Sequence, residues 1–214
     1  MQRWMVALLA MAVLVGCGVP STVRPVSTAQ RVKAKDEVPM FSVTQGYTWQ
    51  YKTVAHPEDD PYVDFDGTET MEIQSVRQEA GSTVLSMRAM DSYTDEYRYP
   101  VVTMTSDKVT IHGVEYLGVA AATVDDLTID FLRFPLKTGS KWDDGLWIGE
   151  VKGQEQVTVG AGTYQAWKIG AIGTHDHAYT AVGTYWVAPG VGIVKSDLSI
   201  PGYNVESELA STTR

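Results

Sequence analysis

The sequence contains one cysteine in 214 residues, so no disulfide can form within the chain. Basic residues are also few. The 17 Lys and Arg stand against 26 Asp and Glu, giving a formal net charge of -9. That balance excludes nucleic acid or an anionic membrane surface as the main partner, because both need clustered cations to release counterions. No apolar run reaches the roughly 20 residues of a permanent membrane-spanning helix. Gly-x-Ser-x-Gly, P-loop, Gly-x-Gly-x-x-Gly and His-Glu-x-x-His motifs are missing, and nothing points to a cofactor. Helix signals are scarce as well. The best, Val119–Asp126, has a good helix former in Ala120-Ala121-Ala122 but no amphipathic stripe, so at most one short helix is expected.

The N-terminus carries an address. Arg3 precedes the uncharged run Trp4–Val15, which fits the apolar region of a secretory signal. The run ends in Leu14-Val15-Gly16-Cys17, and the cysteine there is the chain's only one. This sequence resembles the lipobox of bacterial lipoprotein precursors. The resemblance implies a thioether-linked lipid on Cys17, cleavage after Gly16, and anchoring at the bacterial cell membrane or outer membrane. Two or three acyl chains anchor firmly where one binds only marginally. Residues 1–16 are therefore expected to be a signal peptide, and 17–39 the lipidated cysteine with a flexible tether. The tether holds Pro20, Pro25 and Pro39 and shows no periodicity.

From Met40 onward the chain reads as antiparallel β structure. Expected strands are Thr48–Val54, Glu69–Arg77, Thr83–Met90, Glu96–Thr103, Lys108–His112, Leu127–Phe134, Leu146–Val151, Glu155–Val159, Gln165–Ile172, Tyr179–Val187 and Ile193–Ile200. They are short, rich in β-branched and aromatic residues, and separated by Gly, Asp, Ser and Pro. Gly160-Ala161-Gly162 has the length of a hairpin loop. Ala188-Pro189-Gly190-Val191 suits a type II turn, with Gly192 able to take a bulge. The fold class is all-β, with antiparallel meander sheets forming one sandwich or half-barrel-like domain over residues 40–203. Residues 204–214 read as a polar C-terminal tail.

An internal echo divides the domain. Phe41-Ser42-Val43-Thr44-Gln45-Gly46-Tyr47-Thr48-Trp49 and Phe134-Pro135-Leu136-Lys137-Thr138-Gly139-Ser140-Lys141-Trp142 share the order aromatic, glycine, tryptophan at identical spacing. Each would begin a sheet segment with a glycine turn and an inward indole, giving two halves of about 40–130 and 131–203.

The second lead-in, the segment Val157-Thr158-Val159-Gly160-Ala161-Gly162-Thr163-Tyr164 and the segment Tyr185-Trp186-Val187-Ala188-Pro189-Gly190-Val191-Gly192-Ile193-Val194-Lys195 follow one another. Together they resemble bacterial secreted and lipid-anchored proteins of the TapB or DUF3108-like type, over roughly Phe134 to Asp197. The resemblance implies an antiparallel β fold outside the cytoplasm and transfers no catalytic residue.

Residue clusters capable of chemistry are few. Five carboxylates fall between Glu58 and Asp66, and Asp64-x-Asp66-Gly67 offers oxygen ligands to a hard cation. It lacks the spacing of an EF-hand loop and reads equally as a solvated hairpin. His175 and His177, two apart, would face one side of a strand and share a transition metal if a third ligand such as His112 joined them. The same residues read as a polar loop tip. Trp49, Trp142, Trp147, Trp167 and Trp186 either fill a core or line a cleft for a small molecule. The partner is then an unknown small molecule or envelope protein, bound without catalysis by a membrane-anchored domain. One alternative is a carrier holding an apolar molecule between the two halves. Another is an envelope hydrolase using paired carboxylates.

Overall fold

The computed structural model describes residues 39–59, 64–92, 97–113, 128–175 and 178–213. The signal segment, Cys17, nearly all of the tether and the Val119–Asp126 segment lie outside the described residues. Thirteen strands occur among them: β1 (Thr48–Pro57), β2 (Phe65–Glu79), β3 (Ser82–Asp91), β4 (Tyr97–Arg98), β5 (Val101–Thr105), β6 (Lys108–His112), β7 (Thr128–Arg133), β8 (Lys141–Asp143), β9 (Trp147–Val159), β10 (Gly162–His175), β11 (Ala178–Ala188), β12 (Gly192–Ile200) and β13 (Tyr203–Thr213). The described residues contain no helix.

All strands join one antiparallel sheet in the order β7-β6-β5-β3-β2-β1-β13-β12-β11-β10-β9-β8, with the short β4 attached to β3. The order is circular. β1 pairs with β13 from Thr48↔Thr213 to Pro57↔Tyr203, and the sheet's two edges, β7 and β8, are consecutive in the chain. The result is a nearly closed barrel whose ladder is complete where the first and last strands meet and interrupted between β7 and β8.

The expected strands occur, most of them longer than their sequence signals, although β6 coincides with its signal and β7 is shorter by a residue at each end. Pro100, which has no N–H for a ladder, separates β4 from β5 inside the expected Glu96–Thr103 strand. Leu146–Val151 and Glu155–Val159 merge into β9 around Gly153, a bulge at φ +150. The turn after β11 forms as expected: the Val191 N–H donates to the Ala188 carbonyl at 3.0 Å, with Gly190 at φ +74 and Gly192 at +95. One expectation is corrected. Residues 204–214 are not a polar tail, because Tyr203–Thr213 forms β13, a strand hydrogen-bonded on both sides. Its polar residues alternate with inward-facing Val205, Ser207 and Leu209, so burial on one face and two neighbouring ladders outweigh its weak β propensity.

The two lead-ins are built alike. Gly46 and Gly139 turn at φ +78 and +85. Tyr47 N–H donates to the Thr44 carbonyl and Ser140 N–H to that of Lys137. The Gly46 N–H donates to the Ile73 carbonyl and Gly139 to Val151, both at 2.8 Å; Ile73 and Val151 return bonds to the carbonyls of Tyr47 and Ser140, both at 2.9 Å.

The interior is filled by rings. Phe41, Trp49, Tyr51, Phe131, Trp147 and Tyr185 are completely or almost completely buried. Phe131, Trp147 and Tyr185 form a triangle with ring centroids 5.4–5.8 Å apart. Burying each such side chain contributes about 2–3 kcal/mol, and the tilted and edge contacts add to that. Phe131 reaches this cluster because β7 is bulged there: Val109 pairs with Leu132 and Thr110 with Asp130. Burial and the neighbouring Glu69 carboxylate push the Tyr51 phenol well above its ordinary pKa, and its O–H donates to the Ile193 carbonyl at 3.0 Å.

The interrupted junction is bridged by side chains. The Trp142 indole N–H donates to the Asp130 carbonyl at 2.7 Å, and the Asp130 N–H donates to the Asp144 carboxylate at 2.5 Å. Asp144 is held by the N–H groups of Leu146 and Trp147 at 2.9 and 2.6 Å. The Asp130 carboxylate, buried, takes Lys108 at 2.8 Å and both Arg133 Nε and Nη2 at 3.0 and 2.7 Å. Its desolvation favours the neutral acid, but the hydrogen bonds from Lys108 and Arg133 outweigh it and hold the pKa below the usual carboxylate value.

Trp142 lies across Gly149, where an added Cβ would stand 2.1 Å from the indole Cζ2. Gly149→Ala therefore displaces the indole and its bond to Asp130; urea unfolding should show a loss of about 2–3 kcal/mol, and an unchanged midpoint would refute this account of the junction. Because the folded pKa of Asp130 is depressed, its charge contributes stability above the unfolded value near 3.8, and that contribution is lost as pH falls through the folded pKa. The stability gap between wild type and Asp130→Asn should hence be constant above about pH 5 and narrow below about pH 4, measured by urea midpoints across pH.

Candidate functional site

At the barrel end where the hairpins β2–β3, β5–β6, β9–β10 and β11–β12 turn, a cavity of about 640 Å³ opens. That volume is in the usual range of roughly 300–1,000 Å³ for small-molecule sites. Its apolar wall is Met40, Met104, Val109, Phe134, Leu136 and Trp167, with Pro39 and Pro135. Met104 and Val109 face inward from β5 and β6, buried at the floor, whereas Met40, Phe134, Leu136 and Trp167 are half-buried around it. Two backbone bonds hold the wall together. The Phe134 N–H donates to the Asp107 carbonyl at 2.7 Å, and the Gly190 N–H donates to the Pro39 carbonyl at 3.0 Å.

The polar lining comes from the turns. Gln78, Glu79, Ser82 and Thr83 flank the β2–β3 turn, which Gly81 makes at φ +80, and Thr105 ends β5. The Thr83 hydroxyl donates to Gln78 Oε1 at 2.9 Å, and that of Thr105 to Asp107 at 2.5 Å. Glu79 is the sole charged residue among the described residues of the lining. Arg77 Nη2 comes only within 3.9 Å of its Oε1, and both side chains are more than half exposed. Such a pair contributes little in water.

The five tryptophans are dispersed. Trp49 and Trp147 are in the core, their indole N–H groups without a hydrogen-bond partner among the described residues. Trp142 closes the barrel junction. Trp186 is buried beneath Lys168 and Lys195, whose ammonium nitrogens are 4.9 and 5.9 Å from its ring, and its N–H donates to Glu155 at 2.5 Å. Trp167 alone of the five lines the cavity. Buried residues of both halves share one core cluster, Phe41, Trp49 and Tyr51 from the first and Phe131, Trp147 and Tyr185 from the second.

Asp64 accepts from His56 Nδ1 at 2.7 Å, and Asp66 is 3.5 Å from Lys52. His175 ends β10 and pairs across the hairpin with Ala178, while His177 lies outside the described residues. His112 Nδ1 is 2.8 Å from the Thr128 hydroxyl. Among the described residues, no three His, Cys, Asp or Glu side chains are grouped as a metal would require.

Sequence reasoning missed Met40, Met104 and Glu79, which carry no motif and converge only through strand order. Phe134 and Leu136 were visible as part of the second lead-in, though as turn and core residues.

A search of curated proteins returned no match. Two solved structures share the fold. One is a Bacteroides fragilis protein assigned as exported with a YmcC-like fold, 11% identical, aligned over 80% of this chain and 97% of its own with a TM-score of 0.53. The other is a Parabacteroides distasonis protein assigned as a lipoprotein, 13% identical, aligned over 84% of this chain and all of its own with a TM-score of 0.54. The family match begins later than the expected Phe134 and continues past Asp197 to take in β13: residues 149–214 are similar to the DUF3108-like family.

Proposed function

We propose that this chain is an envelope lipoprotein, anchored through acyl chains on Cys17, whose barrel binds an apolar or amphiphilic small molecule at its open end without transforming it. The cavity beside Pro39 carries this reading. An apolar floor with a few polar groups at one rim is the usual form of a small-molecule site. Its position supports the reading too. Pro39 belongs to the wall, and the 22 residues back to Cys17 span at most about 75 Å when extended, so the cavity stays near the anchoring membrane. The lipobox sequence and the assignment of the two structural relatives as exported and as a lipoprotein favour an extracytoplasmic location. A hydrolase of the carboxylate type needs two facing acids about 5 to 9.5 Å apart, whereas one carboxylate, Glu79, lines the cavity among the described residues.

Labelling cells with radioactive palmitate tests the anchor: the wild-type chain should take up label and Cys17→Ser should lose it. For the cavity, N-phenyl-1-naphthylamine should bind the protein with enhanced emission. Leu136→Glu, which sets a charge in the apolar wall, should weaken that binding about tenfold or more with little change in unfolding midpoint. Equal binding by both proteins would place the probe elsewhere and remove the cavity from the reading.

A further inference from the structure

Charge at the rim of this cavity is of one sign, and that restricts what an apolar ligand's head group can be. Beyond the apolar wall, the lining offers Gln78 and Thr83 already bonded to each other, Thr105 bonded within its own turn, the uncharged hydroxyl of Ser82, and one charged group, the carboxylate of Glu79. Arg77, the cation within reach of Glu79, stands at 3.9 Å with its side chain largely in solvent, so it neutralises the carboxylate weakly. A chain inserted against Met104 and Val109 leaves its head at the turn that carries Glu79.

Building on the proposed binding of an apolar molecule, we infer that the site selects amphiphiles by head-group charge: the preferred ligand is an alkyl or acyl chain ending in an ammonium or other cationic donor, such as the amine of a zwitterionic lipid, and anionic heads are disfavoured by Glu79. Insertion of the chain supplies affinity regardless of the head, since burial of apolar surface is indifferent to charge. Selectivity comes from the carboxylate at the rim. Attraction for an ammonium and repulsion of a carboxylate act at the same point with opposite sign, and both weaken as salt screens them.

The test compares three ligands with one tail: decylamine, decanol and decanoate, titrated calorimetrically into the full chain carrying Cys17→Ser, below their aggregation concentrations. The expected order of affinity is amine, alcohol, carboxylate, with steps of about three- to fivefold, the size of a solvent-accessible ion pair, shrinking at high salt. Glu79→Gln should bring the three affinities together, and Glu79→Lys should reverse the order. Decanol affinity, which should be the same in all three proteins, reports that the cavity is intact. If Glu79→Gln leaves the order standing, or if wild type prefers decanoate, the head-group assignment is wrong while binding in the cavity survives. If no ligand of the series binds, the underlying reading fails and the head-group assignment falls with it.

Discussion

A twelve-strand circuit of β-sheet must end somewhere, and its two edges are the constraint on which the rest of this barrel depends. Unpaired strand edges expose backbone groups that solicit other chains. Here the edges face each other, and Asp130 joins them: its backbone bonds reach Trp142 and Asp144 across the junction while its carboxylate gathers Lys108 and Arg133 from its own side. Gly149 makes room for the indole that completes the bridge. Through Asp130 the half-exposed ionic cluster and the barrel's closure are coupled, because the residue that orients both cations also supplies the N–H and carbonyl that the opposite edge meets.

Closure determines where space remains. The rings of Phe131, Trp147 and Tyr185 occupy the interior, with Phe131 turned inward by the bulge next to Asp130. The β9–β10 turn folds against β13, its Ala161 N–H donating to the Leu209 carbonyl at 2.9 Å. Space is left at the same barrel end, between the β2–β3 turn, the Phe134–Leu136 segment and Trp167. The site is thus a by-product of unequal hairpins at one barrel mouth, and its residues come from turns and strand ends that can vary without disturbing the core.

Strands and turns were legible because they are local. Alternation, β-branched and aromatic residues, and the Pro-Gly turn before β12 each act within a few residues. β13 was not legible as a strand: Glu206, Ser207 and Glu208 favour it only when β1 and β12 lie on either side and one face is buried. The five tryptophans were visible as a group, yet Trp49 and Trp147 are in the core, Trp186 is buried beneath two lysines and only Trp167 lines the cavity, since an indole's surroundings depend on which face of which strand it occupies. Glu79 carried no signal. A glutamate in a hairpin turn is ordinary until the fold brings Met104 and Leu136 beside it.

The pairing of β1 with β13 also orders events in time. β1 is made first and one of its two ladder partners last, with 165 residues between the hydroxyls of Thr48 and Thr213 that meet at the end of that ladder. A chain made N-terminus first can form the β1–β2–β3 meander early, but the outer edge of β1 stays unsatisfied until β13 has been made. Such a loop-closure requirement slows folding more than it weakens the finished structure. The barrel therefore cannot lock around its core before β13 is available, and any factor that shields the waiting edge of β1 would act in that interval.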